Sequence, residues 1–200
     1  MKDKDLKWIL GFAFRQRIFD QFDPDDLEAG IFAIPEQLVV FLMSDFLKPQ
    51  VMKRFGSYLE DFILDRCNFI DGKIYMDVTL KMKLLGSVSA KYVFDVQEAQ
   101  FNKDGHRFVM NFTEDLTFAA LAGFSSIFKS MTQKDSYLEM ISELSNDNFF
   151  EARGNSLTVD LDRMMTLPIP SKISMDFLGA RNGRLEFAFF WEEDEEGGEE

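Results

Sequence analysis

The sequence predicts an α+β fold: N-terminal helices, a long twisted antiparallel meander, central helices and C-terminal antiparallel strands ending in a hairpin. Three observations carry this. Apolar residues recur at spacings of three and four through the first third of the chain. They switch to strict alternation over residues 73–83, and that alternation returns in several later runs. Asn182-Gly183 stands between two such runs, and Asn-Gly is the strongest short hairpin signal, because both residues of a tight hairpin turn need positive φ. Helical and strand patterns fall in separate blocks instead of alternating unit by unit, which separates α+β from α/β.

Taken in order, Leu6, Ile9, Leu10, Ala13, Phe14, Ile18 and Phe22 place one apolar stripe on a helix over residues 5–22. Residues 22–30, FDPDDLEAG, read as a loop or a short helical turn. Leu38, Phe41, Leu42 and Phe46, then Val51, Met52, Phe55, Leu59, Phe62 and Ile63, predict a bent helix pair over 36–48 and 49–66. The bend falls at Pro49, which removes a backbone donor but suits the first turn of the second helix. Ile74, Met76, Val78, Leu80 and Met82 alternate with polar residues, as do Val88, Ala90, Tyr92, Phe94 and Val96, and then Phe108, Met110 and Phe112, giving three long strands in a meander. Turns are expected near Gly86 and at residues 102–105, Asn-Lys-Asp-Gly.

The segment after Leu116, FAALAGFSSIF, is apolar on nearly every side and predicts a buried helix over 116–131. A second central helix is expected over 133–148 from Tyr137, Leu138, Met140, Ile141 and Leu144. Leu157, Val159 and Leu161 predict a short strand, and the runs on either side of Asn182-Gly183 predict the closing hairpin. The 200 residues suit one domain over 1–191, with an N-terminal helix and loop in 1–30. The final nine residues, EEDEEGGEE, contain no apolar side chain and read as a disordered acidic tail.

Charge and composition restrict function. The net charge of −13 and a pI near 4.6 disfavour nucleic acid, whose phosphates such a surface repels. One Cys and one His leave structural zinc without enough ligands, and the lone Cys67 fits a reducing, cytoplasmic setting. The apolar run over 8–14 is too short for a secretory core or a membrane span, so the expected membrane contact is at most peripheral. No phosphate loop or dinucleotide fingerprint is present, and no cofactor is expected. Any Ser/His or Cys/His catalysis must use His106, which stands after the Asp104-Gly105 turn and reads as a solvated residue opening a strand. Asp160 and Asp162 straddle Leu161 and share one face if the strand persists, without a third ligand to make a metal site.

Two features remain. Lys7, Trp8, Phe12, Arg15 and Arg17 make the N-terminus basic and aromatic, suited to a membrane interface or an acidic partner, or simply to covering the sheet while the cations stay solvated. The second is distributed. The chain holds 23 Phe and 11 Met, an unusual amount of bulky, deformable apolar volume. Met76, Val78, Leu80, Tyr92, Phe94, Phe108, Met110 and Phe112 share one sheet face, and Phe41, Phe55, Phe62, Phe118, Phe124 and Phe128 are expected from helices over it. A gap between these layers is an apolar pocket suited to a lipid or acyl chain, and full closure is an ordinary core. The alternative function is an acidic protein–protein interaction module, an adaptor or chaperone-like protein with no small-molecule pocket.

A helix ahead of long alternating strands, with Asp71-Gly72 before the first strand, Asp104-Gly105 before the third and a hairpin around Asn182-Gly183, resembles half-modules of the tubular lipid-binding superfamily and small bacterial proteins of similar shape. The resemblance covers residues 36–191. It implies a curled sheet wrapped on a helix with a lipid held between them, although Pro49 interrupts the helix that is continuous in that family. It assigns no individual ligand residue, because such a pocket is defined by shape.

Overall fold

The apolar periodicity of the first third resolves into short helices and two strands. A computed structural model describes residues 24–57, 59–83, 86–118, 136–144, 149–164 and 173–191. The expected helix over 5–22, most of the apolar segment 116–131 and the acidic tail lie outside the described residues. Helix α1 (Pro24–Glu28) occupies the FDPDDLEAG segment, with Asp25 and Asp26 in its first turn, where the helix dipole favours acids. Strand β1 (Ile31–Pro35) follows, then α2 (Glu36–Leu42), a π-helical turn (Met43–Leu47) and α3 (Lys48–Phe55). Pro49 directly follows the π-helical turn inside a helical run that is unbroken from Glu36 to Phe55, and that irregularity accommodates the hydrogen bond its ring removes.

Strands β2 (Leu59–Ile70), β3 (Lys73–Met82), β4 (Gly86–Asn102) and β5 (Gly105–Phe118) form a four-stranded antiparallel meander. Helix α4 (Tyr137–Leu144), β6 (Phe150–Arg153), β7 (Ser156–Asp160), α5 (Leu161–Met164), β8 (Ile173–Arg181) and β9 (Arg184–Trp191) complete the described chain. One sheet has the order β2-β3-β4-β5-β7-β6 and the other the order β1-β9-β8, with every pairing antiparallel. The fold class is α+β, with the meander and the Asn182-Gly183 hairpin where the sequence places them.

Four expectations need correction. The helix expected over 49–66 ends at Phe55, and residues 59–70 are strand β2. Register shifts between Leu59 and Asp61 and between Leu64 and Arg66 explain the error, because each bulge inserts an extra residue and disguises alternation as a spacing of three. Phe62 consequently lies on a strand, paired with Leu80, and not on a covering helix. Likewise β5 runs through Phe118, paired with Val88, so the start of the expected helix over 116–131 is strand. Asp160 ends β7 while Asp162 lies in α5, so the two do not share a strand face. Strands β1 and β6, at five and four residues, are too short to show periodicity.

Two tight turns join the sheets. Asp71 and Gly72 have φ of 52° and 78°, and Asn182 and Gly183 have 52° and 75°, the paired positive values of a two-residue hairpin turn. Those hairpin ends dock on each other: the Gly72 amide donates to the Ala180 carbonyl at 2.8 Å, and the Gly183 amide to the Phe69 carbonyl at 3.1 Å. Glu36 completes the junction by accepting the Phe69 amide at 2.5 Å, while its own amide donates to the Gly183 carbonyl at 3.0 Å. Phe69 lies on an edge strand, so these contacts also satisfy backbone groups that an edge otherwise leaves open to another chain.

Two apolar clusters follow. At the junction, Cys67, Phe69, Phe101, Ala180, Leu185 and Phe187 are buried between the sheets. The rings of Phe101, Phe108, Phe177 and Phe187 pack edge-on or tilted there, with Phe101 and Phe108 centroids 5.0 Å apart. Beyond the junction, the same face of the larger sheet carries Leu59, Val78, Leu80, Val88, Ala90, Tyr92, Phe94, Met110, Phe112, Ala152 and Leu157, packed against residues of α3 and α4. The opposite face is polar, with Arg66–Asp77 and Arg107–Glu98 ion pairs at 3.2 and 2.9 Å. Among the described residues, no helix is long and apolar enough to cross a membrane.

Candidate functional site

Strand register gathers most of the expected lining residues. Cross-strand partners place Phe62, Met76, Val78, Leu80, Tyr92, Phe94, Phe108, Met110 and Phe112 on one face of the six-stranded sheet. Phe55 reaches that cluster from α3, and Phe41 is buried on α2. Phe108 belongs to both clusters and faces the three-stranded sheet as well. Phe118 is placed by its backbone pairing alone, and Phe124 and Phe128 lie outside the described residues, as do Lys7, Trp8, Phe12, Arg15 and Arg17. Phe55, Phe62, Met76 and Phe108 are only partly buried, whereas Tyr92, Phe94, Met110 and Phe112 are buried.

One residue on this face was not singled out from the sequence. Glu114 lies between Phe112 and Leu116 in the alternation of β5, directly opposite Tyr92, at an inward position near the middle of the sheet. Among the described inward positions of the six-stranded sheet it is the sole carboxylate. The signal was legible as parity: an acid at the position that alternation assigns to the apolar face.

Glu114 meets the first turn of α4. Its Oε1 accepts the Tyr137 amide at 2.7 Å and its Oε2 the Leu138 amide at 3.2 Å, two of the N–H groups that a helix N-terminus leaves unpaired. Ser136 accepts the Glu139 amide at 3.0 Å, so side chains from both the helix and the sheet cap α4. The Tyr92 phenol belongs to the residue directly opposite Glu114 on the neighbouring strand. Burial first, and then the Glu114 charge, push the Tyr92 phenol well above its ordinary value and the Tyr137 phenol up to about 12. Tyr137 donates to the Met82 sulfur at 3.4 Å. The other end of α4 is fixed by Ser142, whose hydroxyl donates to the Phe150 carbonyl and accepts the Ala152 amide on the edge strand β6. The apolar face thus holds a compact polar point, a carboxylate that accepts two amides of the short helix above it.

The remaining polar candidates stand apart from it. His106 opens β5 as expected, yet its side chain is 15% exposed instead of freely solvated, with Nδ1 2.8 Å from Asp162 Oδ1. The His106 amide donates to the other Asp162 oxygen at 2.9 Å. Partial burial raises the Asp162 pKa, but these two bonds and the imidazole charge outweigh it and hold the carboxyl below its usual range. The pair ties the β4–β5 turn to α5. Cys67 is buried, and desolvation, then Glu36, push its thiol up to about 12, which makes it inert as a nucleophile. Among the described residues, no three His, Cys, Asp or Glu are grouped to hold a metal ion. Comparison of the chain with protein-family models, curated proteins and solved structures gives no significant match.

Proposed function

We propose that the protein is a non-catalytic binder of an apolar or amphipathic ligand, such as a lipid or acyl chain, held between the six-stranded sheet and the helices laid over it, in a reducing, cytoplasmic setting. The observation that carries this reading is the inner face itself: Phe, Met and aliphatic side chains extend across β2 to β7 around Tyr92 and Glu114, several only partly buried, covered among the described residues by helices of at most eight residues. Phe and Met adapt to loosely shaped contents, and short amphipathic covers cost little to displace. The polar outer face and the covered sheet edges leave the inner face as the natural place for such a ligand.

Native mass spectrometry of freshly purified protein, followed by organic extraction, tests this. The expected result is a bound hydrophobic compound and a melting temperature that rises with added single-chain amphiphile, because a ligand that binds only the folded state stabilises it. A bare polypeptide with no thermal response, recovered instead with a protein partner, would replace this reading with the interaction module.

A further inference from the structure

We propose that the outer face of the three-stranded sheet is the docking surface for residues 5–22 of the same chain, laid along β8 and β9 as a helix with Arg17 set against Asp176. The inference is independent of the ligand-binding reading, because this face lies on the far side of the smaller sheet from its junction with the larger one.

Alternation gives the smaller sheet two faces to cover. Leu185 and Phe187 of β9, with Phe177 and Ala180 of β8, point into the junction. The outward positions are apolar as well: Ile31 and Ala33 on β1, Ala188 and Phe190 on β9, and Leu178 at the bulge of β8. Strands that are apolar on both sides are suited to burial on both. Part of the cover is described. Helix α1 leads into β1 and is tied to β9 by the Asp26–Arg184 ion pair at 3.2 Å, while Arg181 and Arg184 close over the buried Glu186, and Ala33 is buried beside it. Leu178 and Phe190 nevertheless remain 44% and 50% exposed, two of the three large apolar side chains so exposed among the described residues.

Residues 5–22 lie outside the described residues, and their sequence matches what this face lacks. One residue, Asp23, separates them from α1, so the segment is tethered beside the face at an effective concentration on the order of millimolar, which a second copy in dilute solution does not reach. As a helix the segment is about 27 Å long, the span of the eight residues of β9 at about 3.4 Å each. Arg17 falls on its apolar stripe, four residues after Ala13 and three after Phe14. A cation on a covered stripe needs an acid in the surface it meets. Asp176 supplies one: it points outward from β8 opposite Ala188, between the levels of Phe190 and Leu178, and is exposed.

Photocrosslinking of the full chain in dilute solution, with Phe190 replaced by benzoylphenylalanine and the products mapped by peptide mass spectrometry, tests the docking. The expected product is an intramolecular link to residues 5–22. The same group at Tyr75, on the outer face of the larger sheet opposite Val93, is expected to give no such link. Links between two chains would overturn the proposal in favour of a second copy on this face. Links to 5–22 in equal yield from both positions, or none to 5–22 from position 190, would overturn it outright. A charge swap tests the polar contact. Asp176→Lys and Arg17→Asp are each expected to speed tryptic cleavage after Lys7 by about tenfold or more, through local opening, and the double variant to restore protection. Unchanged cleavage in both single variants, or no restoration in the double, overturns the Arg17–Asp176 contact. The crosslinking series decides the docking even if a charge variant does not fold.

Discussion

Buried acids with raised pKa values give the residue scale its sharpest consequence. Cys67 and Tyr137 titrate in the folded protein near 12, against ordinary values of 9.0 and 10.0, and Tyr92 also lies well above 10.0. The unfolded chain therefore releases these protons first as pH rises, so their contribution is fully present below about pH 9 and is lost between there and about pH 12. Melting temperature is expected to hold up to about pH 9 and then fall steeply, with the absorbance of the Tyr92 and Tyr137 phenolates appearing only as the protein unfolds. Normal titration of both tyrosines in the folded state would contradict their placement. Glu114 caps α4. Glu114→Ala leaves two amides of that helix without their acceptor and is expected to cost about 1–2 kcal/mol in urea unfolding, with part of the helical circular dichroism lost. The sequence held the clue to Glu114 in its parity, but parity identifies only the face. That a helix N-terminus stands over the carboxylate depends on packing between segments that are 23 residues apart.

At the scale of elements, the junction of the two hairpin turns positions the three-stranded sheet. Glu36→Ala removes the acceptor of the Phe69 amide and is expected to cost about 1–3 kcal/mol, the usual penalty for a buried donor left unpaired. Gly183→Ala tests the backbone instead. An added Cβ meets Glu36 only at ordinary contact distance, 3.6 Å, so the expected loss of about 1 kcal/mol comes from the φ of +75°. A Gly183→Ala protein as stable as wild type would show that the turn relaxes. The elements legible in the sequence are those with long unbroken alternation or a paired turn signal: β3, the first half of β4, the middle of β5, and the β8–β9 hairpin. Strand β2 was hidden because two bulges break its alternation, and because Leu59, Phe62 and Ile63 continue the helical spacing of α3 across Gly56. Strand β1 becomes a strand by pairing with β9, a partner about 150 residues away, which no local pattern announces.

The described residues form an antiparallel sheet with a polar outer face and an apolar inner face, with a second sheet packed at one end and short helices over the inner face. Its edges are guarded locally, β2 by Glu36 and Gly183 and β6 by Ser142. Residues 192–200 hold seven acids, and their deletion takes the net charge from −13 to about −6. Calorimetry is expected to show an unchanged melting temperature and size-exclusion chromatography more self-association at low salt, because net charge governs solubility and not the fold. A large fall in melting temperature would assign the tail a structural role. Photocrosslinking with a dodecyl chain carrying a terminal diazirine, mapped by peptide mass spectrometry, tests whether the inner face of the larger sheet holds the ligand. Labels on the inward residues of β4 and β5, among them Phe94, Met110 and Phe112, suppressed by unlabelled dodecanol, are the predicted result; labels confined to the outer face, or unaffected by competitor, would contradict it.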